Sequence, residues 1–156
     1  MPIIVSRGWR MRSLPAVRRT RLIEVLWKVH GWVYQRTGGR LGGRLLRMPV
    51  LLLTTTGRRT GLPHTSALTY LPYGPNFVVI GSNGGAAKHP AWLLNLRANP
   101  RVAVQVQNAL IDVYAREARG EERKMLWDRL VQVEHSYAVY QSRTTRTIPI
   151  MVLERR

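Results

Sequence analysis

Hydrophobic positions change period along the chain, and each change predicts an element. Leu22, Val25, Leu26, Val29, Trp32 and Val33 recur at three- and four-residue intervals, which predicts a long helix opened near Pro15 and running to about Tyr34. The glycine-punctuated stretch TGGRLGGRLLRMP ends that texture as a linker, and strands follow it. Met48 to Thr56 reads as a buried strand, Gly57 to Pro63 as a turn and Thr65 to Leu71 as the return, together a long hairpin. PYGPN makes the next turn. FVVIGS is then a short buried strand running into a second glycine-rich loop, Ser82 to Ala86. Pro90 opens a short helix, PAWLLNLRAN, which Asn99 and Pro100 close. RVAVQVQ alternates with Val102, Val104 and Val106 on one face, and ALIDVYARE supplies its partner strand. Glu121 to Val133 is predicted as a helix with acids in its first turn and Leu126, Leu130 and Val133 on one face, and RTIPIMVLE closes the pattern as a strand. Strands joined mainly by hairpins, with one long N-terminal helix and two further helices, predict an α+β domain built on a small, mostly antiparallel β-barrel.

Length and composition agree with one folded domain. The 156 residues are 45% hydrophobic, enough for a single core. Residues 1–36 read as a basic amphipathic segment and residues 37–156 as the barrel domain. There is no cysteine, which excludes disulfides, thiolate metal sites and cysteine nucleophiles. Charge is more informative: 25 Lys and Arg stand against 8 Asp and Glu, a formal net charge of +17, so acidic partners are expected. No carboxylate occurs from Val25 to Ile111, so this stretch supplies neither a paired-carboxylate mechanism nor an oxygen-ligand metal site. The front of the chain has no apolar run of membrane-spanning length and no signal-peptide pattern, so a cytoplasmic protein is expected. Its apolar stripe either packs on the domain's own sheet or lies on an anionic membrane surface, with Arg7, Arg10, Arg12, Arg18, Arg19 and Arg21 alongside.

Familiar site motifs are missing. GRRTG lacks the spacing of a Walker A loop, there is no GxGxxG, and Ser82 in GSNGG does not match a GxSxG elbow. His30, His64, His89 and His135 are far apart in sequence, so no metal is expected. What remains is two loops suited to anions. Arg58 and Arg59 can bond a phosphate or carboxylate bidentately, with Thr60 adding a hydroxyl. In SNGGAAKHP, the Gly84–Gly85 pair can turn successive N–H groups to one side as an anion nest beside Lys88. The helix after it offers Trp92 as an aromatic wall and Asn95 as an amide.

LLLTTTGRRTG, GSNGGAAKHPAWLLNLRANPRVAVQV, AREARGEERKMLW and YQSRTTRTIPIMVLE, in this order and spacing, resemble the deazaflavin-dependent nitroreductase family of actinobacteria, whose members use coenzyme F420. The resemblance covers Thr37 to Glu154. It implies a split β-barrel of the flavin-binding type and, as cofactor, an 8-hydroxy-5-deazaflavin carrying a phosphodiester and an oligoglutamate tail. Carried over by position, the cofactor contacts fall on Arg58, Arg59 and Thr60, on His64, Thr65, Ser66, Ala67, Leu68 and Thr69, on Ile80, Gly81, Ser82 and Asn83, on Ala91, Trp92, Leu93, Leu94 and Asn95, and on Tyr137. The implied activity is hydride transfer from the reduced coenzyme, F420H2, to a quinone, nitroaromatic or activated alkene such as an enone. Ser82, Tyr137 and Tyr140 are the implied catalytic groups, placed to polarise the acceptor oxygen. The family commonly has Lys at Arg59, Arg at His64, Lys at Asn83 and Tyr at Thr69 and Glu134, and those departures bear on substrate preference and affinity. A non-catalytic carrier of deazaflavin or lipid at the membrane surface is the alternative. Nucleic acid is not expected, because no aromatic stacking platform is interleaved with the basic residues.

Overall fold

The computed structural model describes the strand residues 44–45 and residues 48–156, so the expected N-terminal helix and the 1–36 segment lie outside the described residues. The elements in order are β1 (Arg44–Leu45), β2 (Met48–Thr56), β3 (Pro63–Thr69), β4 (Leu71–Tyr73), β5 (Asn76–Ile80), α1 (Ala91–Ala98), β6 (Arg101–Val106), β7 (Ala109–Glu117), α2 (Gly120–Val133), α3 (Ser136–Ser142) and β8 (Ile150–Arg155). The strand pairs are antiparallel, in the order β1-β2-β6-β7-β8-β5-β4, with β3 also on β2. The sheet curls into a half-barrel accompanied by these three helices.

Period-two patterning explains why the sheet needs material on both sides. In β2, Leu51 and Leu53 join an interior cluster while Val50 and Leu52 face outward with Ala67 of β3. In β8, Met151 and Leu153 point inward and Ile150 and Val152 outward. The inner cluster closes over Trp92, Leu93 and Leu96 of α1, so this helix fills the concave side. The outer cluster takes Leu126 and Leu130 of α2 and Tyr137 of α3. Each fully buried leucine contributes about 1.5–3 kcal/mol by leaving water.

Four expectations are corrected. The linker holds the short strand β1, which pairs Arg44 with Pro49 and Leu45 with Met48. The return strand stops at Thr69 because Tyr70 turns its N–H onto the Pro49 carbonyl, 2.9 Å away, and the chain resumes as β4. The last strand starts at Ile150 rather than at Arg146, whose side chain is committed to the loop after β5. A third helix, α3, follows α2. Its seven residues bury only Tyr137, so no apolar stripe announced it, and the Glu134 carboxylate anchors its start by accepting from the Ser136 N–H at 3.1 Å.

Arg116 fastens the outer helix to the sheet. Its guanidinium bonds Glu154 on β8 at 2.6 Å and Glu122 on α2 at 2.6 and 2.8 Å. The hydrogen bonds from Arg116 hold the Glu122 carboxyl below its ordinary value of 4.5. A carboxyl depressed in the folded state contributes stability that is present above its unfolded pKa and lost as pH falls through the folded one. The thermal midpoint of Glu122→Gln should therefore lie below that of the parent protein at pH 6, and the gap should shrink as pH drops below 4.5. A gap that is constant with pH would contradict this.

Candidate active site

The hairpin loop 57–62 between β2 and β3 is closed by its own backbone. The Gly57 N–H donates to the Leu62 carbonyl at 2.8 Å and the Gly61 N–H to the Gly57 carbonyl at 2.7 Å. A Cβ on Gly57 would stand 2.5 Å from Thr60 Oγ1 and 2.8 Å from His64 Nε2, so the glycine lets those side chains fold over it. Thr60 Oγ1 and His64 Nε2 are themselves 3.4 Å apart.

Asn95 ties this loop to the interior. Only 4% exposed, it accepts at Oδ1 from both the backbone N–H and the guanidinium Nη1 of Arg58, each at 3.2 Å. Its Nδ2 donates to buried Thr55 Oγ1 at 3.2 Å, and that hydroxyl donates to the His64 carbonyl at 3.3 Å. One neutral amide thus connects β2, the hairpin, β3 and α1. Arg58, Arg59 and Thr60 remain exposed at the tip. The salt bridges among the described residues belong to Arg97 with Glu117 and to Arg116, so the tip arginines keep their charge uncompensated.

Residues 64–69 alternate. Leu68 packs toward the inner cluster, Ala67 lies outside, and Thr69 Oγ1 meets the Tyr137 hydroxyl at 3.0 Å on the outer side. Six consecutive strand residues cannot all aim side chains at one ligand. What they share is the edge of β3, which among the described strands pairs only with β2.

The second loop follows β5, against α1: a Cβ on Gly81 would contact Leu93 Cδ2 at 3.3 Å. Ser82 is right-handed at φ −66° and ψ −39°, and Asn83, Gly84 and Gly85 follow with φ of 49°, 64° and 80°. The Gly85 and Ala86 N–H groups are spent on the Ser82 and Asn83 carbonyls at 3.0 and 3.1 Å. The nest expected at Gly84–Gly85 is thereby moved forward, because right-handed Ser82 followed by left-handed Asn83 is the alternation that turns successive amides to one side. Gly85 sits where a Cβ would lie 2.6 Å from the Tyr140 carbonyl oxygen, so the loop seats against the end of α3. Asn83 Nδ2 donates to the Lys88 carbonyl at 2.9 Å.

Arg146 grips the same loop. Its Nε donates to the Ala86 carbonyl at 2.9 Å and its Nη2 to the carbonyls of Gly81 and Ser82 at 3.1 and 2.8 Å. Nη1 lies 3.3 Å from His89 Nδ1, and since a guanidinium only donates, Nδ1 is the acceptor and Nε2 carries the ring proton. Burial, and then the charges of Arg146 and Arg97, push the His89 pKa down, which keeps the ring neutral at pH 7.

Of the sequence-predicted residues, Arg58, Thr60, His64 and Asn95 come together through direct bonds, and Gly81 to Asn83 stand beside α1. The backbone of Ala91 to Asn95 is the helix between the two loops. Trp92 and Leu93 are core, 8% and 0% exposed, while Ala91 is exposed and Leu94 half-buried. Ile80 turns its side chain into the outer cluster. Tyr137 is 6% exposed, with its hydroxyl on Thr69 and 3.7 Å from Met48 Sδ, and burial raises its pKa. Tyr140 is half-buried, edge-on to Tyr137 at 6.3 Å and under the Arg143 guanidinium at 5.7 Å. Arg146 and Thr55 were missed by sequence reasoning, since one arginine or threonine among many has no local signature. An open groove of about 530 Å³ lined by Thr54, Thr56, Arg101, Asp112 and Arg156 shares only Thr55 with this network. It contains none of the sequence-predicted site residues.

Asn95→Leu should cost about 1–3 kcal/mol, because it strands the Arg58 N–H and removes the donor to buried Thr55 Oγ1. Urea unfolding of the variant and the parent measures this, and an unchanged midpoint would show the amide to be dispensable.

Residues 26–155 match the family model described as F420H(2)-dependent quinone reductase. An F420H(2)-dependent quinone reductase of Mycobacterium tuberculosis is 38% identical over 136 residues, 84% of this chain and 91% of that protein. A solved F420-H2 dependent reductase, FDR-A, superimposes with a TM-score of 0.63 at 38% identity, covering 71% of this chain and 98% of that one. A solved chain described as a domain-swapped dimer gives a TM-score of 0.65 at 34% identity over 86% of this chain and all of that one.

Proposed function

Since the chain belongs to the F420H(2)-dependent quinone reductase family, we propose how its own residues carry out that activity. The protein is an oxidoreductase dependent on the reduced deazaflavin coenzyme F420, and its acceptor is a quinone-type small molecule. The family is one of reductases and gives no support to the carrier alternative. Among the described residues no helix is long and apolar enough to cross a membrane.

One observation carries the assignment of residues: the two loops flanking α1 present cations that no carboxylate among the described residues pairs with. Arg58 is held by the Asn95 amide, and Arg59 and Lys88 are exposed with no carboxylate paired to them among the described residues. Such a surface fits a ligand with a phosphodiester and several carboxylates, because its attraction is not already spent inside the protein. In this reading Arg58, Arg59 and Thr60 hold the anionic end. The edge of β3 from His64 to Thr69, the turn Ile80 to Asn83 and the N-terminal half of α1 from Ala91 to Asn95 border the ring system.

When bound, the reduced deazaflavin supplies the hydride that the acceptor takes up. The protein's contribution is to orient, to exclude water and to stabilise charge developing on the acceptor oxygen. Ser82 is the donor aimed at that oxygen. Tyr140 borders the acceptor, and Tyr137, whose hydroxyl is taken by Thr69, forms the wall that fixes Tyr140 and Thr69. Nitroaromatics and enones belong to the same proposal, since each offers an oxygen on which negative charge accumulates. Residues 37–156 constitute the cofactor-binding unit.

Arg59→Ala should raise the Kd for the coenzyme about tenfold, with a smaller effect at high salt, as expected for a lost charge-assisted contact. Ser82→Ala should lower kcat with menadione by about tenfold or more while leaving the coenzyme Kd within about twofold. Fluorescence titration and coenzyme oxidation measure the two. If the parent protein neither binds the reduced coenzyme nor oxidises it with any quinone, the reading is wrong.

A further inference from the structure

The connection between α3 and β8 reaches across to the loop after β5 through one side chain. Arg146 donates to the carbonyls of Gly81, Ser82 and Ala86 and to the His89 ring, and no carboxylate among the described residues shares that guanidinium. Its backbone is held as firmly: Gln141 Nε2 donates to the Arg146 carbonyl at 2.8 Å, and Gln141 Oε1 accepts from the Ile148 N–H at 3.0 Å. The loop it grips has three consecutive residues at positive φ, one of them the non-glycine Asn83. Gly84 and Gly85 take that conformation freely, whereas Asn83 keeps it more firmly where its surroundings hold it. The carbonyls that Arg146 takes are the negative ends of the loop. With the Gly81, Ser82 and Ala86 oxygens taken by Arg146, their negative ends are withdrawn from an anion that approaches the loop.

We propose that Arg146 is a positioning residue for the coenzyme loop, clamping the carbonyls of 81, 82 and 86 so that the loop is pre-formed with its donors toward the ligand. The role rests on the placement of the coenzyme given above. It requires the planar fork and not merely a positive charge, because three carbonyls and an imidazole are served by separate N–H groups. A lysine ammonium has three donors on a flexible stem and cannot reproduce that pattern.

The experiment uses the full chain carrying Arg146→Lys. In the coenzyme-free protein, amide hydrogen exchange at Gly85 and Ala86 should quicken by about tenfold or more while the strands β5 and β8 keep their protection. The KM for the reduced coenzyme should rise about tenfold with kcat falling less, as expected for lost pre-organisation. Parent-like exchange and parent-like KM in the lysine variant would overturn the proposal. Should that variant not fold, His89→Leu withdraws only the Nη1 acceptor, and it should show the same changes at about threefold; no change there would overturn the proposal as well. A parent protein that binds no coenzyme would instead defeat the placement of the ligand, and exchange at Gly85 and Ala86 would still report whether the clamp orders the loop.

Discussion

An arginine bonded to a carboxylate spends its charge inside the protein, whereas one bonded to an amide or carbonyl oxygen keeps it. Residues 25–111 contain no carboxylate, so the arginines that fold against this stretch must find neutral acceptors. Arg58 finds the Asn95 side chain, and Arg146 finds three backbone oxygens and a histidine. The same bonds that fix the loops leave them electropositive. Glu117 on β7, Glu154 on β8 and Glu122 on α2 do pair with arginines, and the outcome is structural: Arg116 joins sheet to helix, and Arg97 at the end of α1 meets Glu117.

Arginines paired with carboxylates and arginines bonded to neutral acceptors are therefore separated in space. The outer cluster under α2 and α3 and the acidic pairs beside it secure the fold, while the loops flanking α1 are held by arginine hydrogen bonds to neutral acceptors. Asn95 is the point where the two meet. It is buried among the core residues of α1, yet both of its polar atoms serve the hairpin and the strands that carry it.

Most of the fold was legible because strand alternation and turn residues are local signals. Met48–Thr56 shows as a continuous run of Leu and Thr and Arg101–Val106 carries its alternation in the sequence, and the glycines of both loops mark the turns. Tyr70 was not legible: it looks like one more strand residue, and the break there comes from a bond to Pro49 across the sheet. Nor was α3, whose single buried residue makes no stripe. Within the site, Arg58 and Asn95 were found separately, but their contact is a product of tertiary folding. Arg146 could not be found at all, since its partners are backbone oxygens, which no residue type announces. The nest was legible as a glycine feature but expected two residues too late, because the first left-handed residue is Asn83.

The strand order has a consequence for the time course of synthesis. β8 is the hydrogen-bonded link between β7 and β5, so the hairpin of β4 and β5 has no ladder to the β2-β6-β7 sheet until residues 150–155 exist. Both parts are made long before, joined by the covalent bend at Tyr70 and by the stretch between β5 and β6 that carries α1. The two half-sheets of a growing chain thus lack a hydrogen-bonded seam until β8 joins them.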